Sequence, residues 1–195
     1  MQQPDFPQWH KMLSGERYNA VDPRLSELLM QTRVLVARFN ALPPTEIDAQ
    51  RALLREILGG CGERVHVNQP FRCDYGCNIT VGENFFANFN LTILDEALVT
   101  IGRNAFIGPN VSIYTACHPL DPAERNAGVQ WAEPVTIGDD VWICGDVTIC
   151  PGVRIGDGVT IGAGSVVTRD IPAHTLAVGN PARPIKSLDS GTTCR

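Results

Sequence analysis

The amino-acid sequence predicts a mainly β protein in which short parallel strands wind into a coil, preceded by an α-helical segment. Three observations carry this. Aliphatic residues recur every six positions at Ile101, Ile107 and Ile113, then at Ile137, Ile143, Ile149, Ile155, Ile161 and Val167. A glycine follows the leading aliphatic at Gly82, Gly102, Gly108, Gly138, Gly156 and Gly162. A second small or branched residue stands four after the leader at Ala105, Val111, Val141, Val147, Val153, Val159 and Ser165. A period of six fits neither a helix, at 3.6, nor one amphipathic strand, at 2. It fits flat hexapeptide sides separated by corners. The leading aliphatic then points into a narrow core, and the following glycine eases the corner backbone.

The helical segment occupies residues 1–60. Asp22-Pro23 pairs an N-cap with a proline at the first helical position. Leu25, Leu28, Leu29, Thr32, Leu35, Val36 and Phe39 then recur at helical spacing until Pro43-Pro44 stops the helix. Thr45-x-x-Asp48 restarts one as a capping box, with Leu53, Leu54, Ile57 and Leu58 on its apolar side. Gly59-Gly60 ends it. Both helices read as packing elements.

The coil occupies 61–187 and leaves a tail at 188–195. Two interruptions break it. The step from Ile93 to Ile101 is eight, which places Asp95-Glu96 in or beside a small insertion. Between Ile113 and Val135 the pattern gives way to a polar loop, 117–134, that begins Cys117-His118-Pro119. A loop leaving a regular scaffold is where function tends to sit.

Composition sets the bounds. The 195-residue chain is 44% hydrophobic and 19% charged, enough for a full core and too little charge for a disordered protein. A net charge of −5 argues against general nucleic-acid binding, while a local basic cluster still suits a phosphorylated ligand. No run of 18 apolar residues exists to span a membrane, and Met1-Gln2-Gln3-Pro4-Asp5 lacks the layout of a secretory signal. Seven scattered cysteines read as reduced thiols in a cytoplasm. No Cys/His set completes a metal site, and no phosphate-binding glycine loop implies ATP or NAD.

Particular motifs go further than the repeat. They are Met12-Leu-Ser-Gly15-Glu16-Arg17-Tyr18, Phe71-Arg-Cys-Asp74-Tyr75-Gly76, Asn84-Phe-Phe-Ala-Asn88-Phe89-Asn90 and Tyr114-Thr-Ala-Cys-His118-Pro119. Pro134-Val-Thr-Ile-Gly138, Asp140-Val-Trp142-Ile143, Val166-Val-Thr168-Arg169-Asp170-Ile171-Pro172 and Gly179-Asn180-Pro181-Ala182-Arg183 complete the set. Over residues 9–188 the chain resembles the hexapeptide-repeat acyltransferases, most closely the maltose and galactoside O-acetyltransferases with their nodulation relatives. That resemblance implies a left-handed parallel β-helix of triangular section and a homotrimer. It also implies transfer of acetyl from acetyl-CoA to a sugar hydroxyl, with no metal required.

The same resemblance assigns residues. His118 matches the family's general base, a role suited to an imidazole. Asn88 matches an acceptor-binding asparagine. Asp74 and Glu96 fall at acceptor positions where the galactoside branch has serine and aspartate, so the acceptor itself is left open. Tyr75 and Trp142 supply an apolar wall, with plain packing as the other reading of Tyr75. Gly145, Ala163, Thr168, Arg169, Arg183 and Lys186 match coenzyme A contacts. The three cations form a basic cluster on an acidic protein, as a phosphorylated adenosine requires.

Other readings stay beside this one. Within acetyl transfer, the acceptor is alternatively an antibiotic or an amino acid. A zinc carbonic anhydrase on such a fold needs three histidine ligands, and His118 and His174 lack companions. A non-catalytic trimeric prism is the binding-module reading, opposed by the histidine in the loop. A nucleophilic Cys117 is disfavoured because adjacent residues of an extended chain point to opposite sides.

Overall fold

The computed structural model describes residues 4–188, so the N-terminal Met1-Gln2-Gln3, Cys194 and nearly all of the predicted tail lie outside the described residues. Within them, three faces of short parallel strands wind about six turns into a left-handed β-helix. The first face stacks Val65–Val67, Phe85–Ala87, Phe106–Ile107, Trp142–Ile143, Thr160–Ile161 and Thr175–Gly179. Ala182–Ser187 folds back antiparallel along its end. The second face stacks Arg72–Cys73, Thr92–Leu94, Ser112–Tyr114, Thr148–Ile149 and Val166–Val167. The third stacks Gly60–Cys61, Ile79–Val81, Val99–Ile101, Val135–Ile137 and Arg154–Ile155.

The register explains the pattern. Thr136 pairs with Arg154 and Trp142 with Thr160, so the later coils take 18 residues. The earlier ones take 20, as in Ile79 opposite Val99 and Thr92 opposite Ser112. The two extra residues sit at the corner between second and third faces, where Asp95-Glu96 was expected to mark an insertion. Thr100 pairs with Thr136, 36 residues on, so the loop adds the length of one whole later coil at that same corner.

All the leading aliphatics from Ile101 to Val167 are buried in one continuous core. Each such side chain contributes about 1.5–3 kcal/mol relative to exposure. The glycine behind each leader has a different duty from the one expected. Its φ is not left-handed; the positive φ falls two residues later, at Asn84, Asn104, Asp140 and Gly158, and at Asn110, Asp146 and Gly164. Short polar side chains tolerate that region and stack there. The Asn84 amide donates to Asn104, and Asn104 to Asp140, at 2.8 and 2.7 Å; Asn90, Asn110 and Asp146 form a second ladder. The glycines are needed for close approach. A Cβ on Gly102 would stand 2.7 Å from the Gly138 carbonyl carbon and oxygen in the next coil, and against Asp139.

The N-terminal segment forms α1 (Pro7–Leu13), α2 (Pro23–Ala41) and α3 (Ile47–Ile57). Asp22 caps α2 by accepting the Arg24 N–H, as its sequence predicts. The capping box expected at Thr45 does not form. Pro43 to Glu46 makes a turn closed by the Glu46 N–H on the Pro43 carbonyl, and Gln50 donates to that same carbonyl, leaving Glu46 as the N-cap. Gly59 is likewise no left-handed cap; it follows an extended Leu58 and lies tightly on the Cys77 backbone. Trp9, Met12, Tyr18, Leu25 and Tyr75 pack as a second, smaller core that fastens this segment to the prism.

Gly102→Ala should therefore destabilise the fold by about 1–3 kcal/mol, because a coil must shift to admit the methyl group. Urea unfolding checks this. A stability gain, the usual result of reducing chain entropy at a permissive glycine, would contradict the close-approach account.

Candidate active site

The corner between second and third faces carries the expelled loop. Ala116–Cys117 leaves the second face and pairs antiparallel with Val129–Ala132, which in turn pairs with Tyr18–Asn19. Between them α4 (Pro122–Asn126) is capped by Asp121, which accepts the Ala123 and Glu124 N–H groups. Arg17 bridges to Glu124 at 3.0 Å, and Arg125 donates to the Pro119 carbonyl at 2.9 Å. The loop is thus held from both sides, and His118 emerges from it exposed just past the strand end. Its imidazole has no hydrogen-bond or ion-pair partner among the described residues.

Asp74, Asp95, Glu96 and Thr115 occupy the same corner in successive coils. Asp95 is 0% exposed, and its Oδ1 accepts the backbone N–H groups of Asp74 and Tyr75 at 3.0 and 2.9 Å. Its Oδ2 is buried without a partner. Desolvation pushes the carboxyl up to about 7, against the pull of those N–H donors. Glu96, 8% exposed, is driven well above the ordinary carboxylate range by burial and by the neighbouring Asp74. Thr115 accepts the Ala97 N–H and donates to the Leu94 carbonyl, closing the turn that presents Glu96. Tyr18 approaches from the N-terminal strand, its hydroxyl pushed up by burial and then by Glu96.

The expected site residues divide into two groups. Asp74, Glu96 and His118 share this corner, with Thr168 and Arg169 at its far end after Val166–Val167. Asn88, Trp142, Gly145, Ala163, Arg183 and Lys186 belong to the first face and the corner that follows it. Within one chain the second face separates the two groups. The Asn88 Oδ1 accepts the Phe89 N–H at 2.8 Å and the Asn68 amide at 3.4 Å, leaving its Nδ2 without a partner among the described residues. Trp142 is 47% exposed beside Phe106. Tyr75 is 5% exposed and edge-on to Trp9 at 5.3 Å, so its ring packs the second core and forms no open wall. Asp95, Tyr18 and Thr115 carry no role legible in the sequence, although Tyr18 and Thr115 belong to the Met12–Tyr18 and Tyr114–Pro119 motifs and Asp95 to the short insertion.

The remaining histidines have structural places. His66 stacks on Phe86, His174 turns a corner at φ +53, and His10 lies 3.2 Å from Asp5. Burial and the nearby Glu133 push the Cys117 thiol up to about 11, so it is protonated and a poor nucleophile at neutral pH. Among the described residues, no disulfide joins the cysteines and no group of three or more His, Cys, Asp and Glu is placed to hold a metal ion. No helix among them is long and apolar enough to cross a membrane.

Comparison with known proteins agrees with this architecture. The maltose acetyltransferase hexapeptide capping motif matches residues 11–62, and six bacterial transferase hexapeptide repeats match 134–169. Nodulation protein L of Rhizobium leguminosarum bv. viciae is 50% identical over 176 residues, covering 90% of this chain and 93% of its own. The chain belongs to the hexapeptide-repeat acetyltransferases of the maltose and galactoside type. Within that family, a maltose O-acetyltransferase structure from Clostridium difficile 630 superposes with a TM-score of 0.93 at 48% identity. The match covers 96% of this chain and 100% of that one. A galactoside acetyltransferase in complex with coenzyme A gives a TM-score of 0.90 at 40% identity, over 95% and 92%.

The buried Asp95 makes this acetyltransferase pH-sensitive in a defined direction. Its folded-state value exceeds the unfolded one, so its contribution is present in acid and lost as pH rises from about 4 through about 7. Urea unfolding at pH 5 and pH 8 should show a loss that Asp95→Asn reduces by about 2–4 kcal/mol. Equal losses in both proteins would show that the carboxyl holds no proton.

Proposed function

We propose that the protein moves the acetyl group of acetyl-CoA to a hydroxyl of a sugar, with His118 as general base, and that it works as a homotrimer. The observation that carries the reading is the division of the site. His118, Asp74 and Glu96 lie on one corner of the prism with Thr168 and Arg169 at its far end, and Asn88, Gly145 and Ala163 lie on another, with Arg183 and Lys186 along the first face. A cyclic assembly sets unlike surfaces of neighbouring copies against each other, so it joins the two groups where one chain separates them. The six described cysteines, none in a disulfide, suit a cytoplasmic location.

The residues present fit coenzyme A. Gly145 abuts Pro109 so closely that a Cβ would meet it at 3.3 Å, while Gly164, next to Ala163, faces open space. Small residues there leave room for a pantetheine arm along the corner. Arg169 and Lys186 have no ion pair among the described residues, and Arg183 donates only to the Ala182 carbonyl at 2.9 Å. Their charge is free for phosphates, with Thr168 beside Arg169 and with Arg183 and Lys186 on the first face. Acetyl-CoA supplies an acetyl group already activated as a thioester.

The chain's own residues do the rest. His118, with its ring nitrogens unpartnered among the described residues, takes the proton of the hydroxyl as its oxygen attacks the thioester carbonyl, and gives that proton to the departing sulfur as the carbon–sulfur bond breaks. Asp74 accepts from a sugar hydroxyl, with Glu96 behind it. Asn88 donates from its unused Nδ2, and Trp142 offers an apolar surface to a sugar ring.

Two substitutions separate the roles in one steady-state kinetic comparison. His118→Ala should lower turnover by about 10²–10⁴-fold and leave acetyl-CoA binding largely intact. Arg183→Ala should raise the acetyl-CoA KM by about tenfold with little change in saturated turnover, since a phosphate contact is alike in ground and transition states. Near wild-type turnover in the histidine variant, or weakened sugar binding in the arginine variant, would overturn the assignments.

A further inference from the structure

The sense of the Asn88 amide is decided by a backbone group. Its Oδ1 accepts the Phe89 N–H at 2.8 Å, and a peptide N–H can only donate, so the oxygen lies on that side and Nδ2 on the other. Asn68 stands one coil earlier, next to Val67, which pairs with Ala87. Its N–H donates to the Ala87 carbonyl at 2.9 Å and the Asn88 N–H to the Ile107 carbonyl at 2.8 Å, so the ladder holds both asparagines in register. The half-buried Asn68 side chain faces the same Asn88 oxygen, its Nδ2 3.4 Å away. Two carbonyl oxygens repel, so Asn68 must present its amino group there and turn Oδ1 the other way. That oxygen lies 2.9 Å from His66 Nε2. An amide oxygen only accepts, so the imidazole carries a proton on Nε2 and donates it. The His66 ring is held in turn by Phe86, on which it stacks at 5.7 Å with 8° between the planes. The directions agree along the whole chain. His66 donates to Asn68, Asn68 to Asn88, and the Asn88 Nδ2 is left without a partner among the described residues.

We propose that Asn68, with His66 behind it, is a positioning residue that keeps the Nδ2 donor of Asn88 turned toward the acceptor. At 3.4 Å the contact is long for a hydrogen bond, so its part is to exclude the flipped amide rather than to bind tightly. In the flipped amide, Nδ2 meets the Phe89 N–H and the Asn68 amino group, donor against donor at both, and an oxygen points where the acceptor needs a donor. Both residues act through Asn88. The inference rests on the sugar-acetyltransferase reading above, in which Asn88 donates to the acceptor.

The test is steady-state kinetics with a sugar acceptor, comparing the acceptor kcat/KM with the acetyl-CoA KM. N68A removes one of two donors and leaves the Phe89 N–H in place, so it should lower the acceptor kcat/KM by about fivefold. N68D, nearly the shape of asparagine, should lower it by about fiftyfold, because a carboxylate oxygen draws Nδ2 to itself and away from the acceptor. A packing role gives the opposite order, with the isosteric aspartate milder than alanine. H66Q keeps a donor and loses the ring, and should stay within about twofold of wild type. H66F keeps the stack on Phe86 and loses the donor, and should fall by about fivefold. The acetyl-CoA KM should move by less than about twofold in all four. If circular dichroism shows that N68D does not fold, the His66 pair decides alone. N68D as active as N68A or more, or H66F matching wild type while H66Q falls, overturns the inference and leaves sugar acetylation standing. A wild type that acetylates no sugar removes the sugar reading, and this inference with it.

Discussion

Everything in this structure depends on coils that stack at one strand spacing, backbone on backbone. The parallel ladders satisfy the peptide groups, and they hold successive turns so close that Gly82, Gly102, Gly108, Gly138, Gly156 and Gly162 have no room for a Cβ. The same spacing brings Asn84, Asn104 and Asp140 into a hydrogen-bonded ladder at their left-handed corners. A chain so packed cannot absorb extra residues within a face. Additions go outward at a corner, and both of the additions here use the same one. Two residues per early coil present Asp74 and Glu96, and the long loop presents His118.

This geometry sets the buried acidic cluster and the expected coenzyme contacts in different coils. The early coils gather Asp74, Asp95 and Glu96 at one corner, beside a small core fastened by Trp9, Tyr18 and Tyr75. The far end carries Arg169, Arg183 and Lys186, on an acidic chain of net charge −5. On the proposed reading, the early coils and the loop receive the acceptor, and the last coils hold the phosphorylated donor. The N-terminal helices then serve the site indirectly. They pin the hairpin that carries His118, through Tyr18–Asn19 pairing and the Arg17–Glu124 bridge, and Trp9, Met12 and Leu25 pack with Tyr75, the neighbour of Asp74.

Much of the fold is legible in the sequence, because a period of six with every leader buried has no helical or simple strand equivalent. Asp22-Pro23 marks α2 for a local reason, a side-chain cap followed by a fixed φ. What escapes depends on distant partners. The seven-residue α1 is held by Trp9 and Met12 against Tyr75, a contact that no local pattern announces. Thr45 loses its cap because the Pro43 carbonyl takes Glu46 and Gln50. The repeat glycines look like conformational hinges, and only the stacking reveals that they are spacers, with asparagine, aspartate and, in the last coils, Gly158 and Gly164 taking the left-handed turns. His118 stands out in the sequence as the histidine of a broken repeat. Asp95 does not, since its role lies in two N–H groups twenty residues back.

The central claim is that one working site draws on two copies of the chain, with His118 from one and Asn88 from the next. Mixing two inactive variants tests it most directly. Asn88→Ala and His118→Ala proteins, unfolded together in equal amounts and refolded, form mixed trimers in which some junctions pair an intact Asn88 with an intact His118. If the site is shared, random assembly restores about a quarter of the wild-type sites, although neither variant refolded alone is active. Mixed trimers that stay as inactive as the separate variants would place both residues in one chain's site and contradict the account.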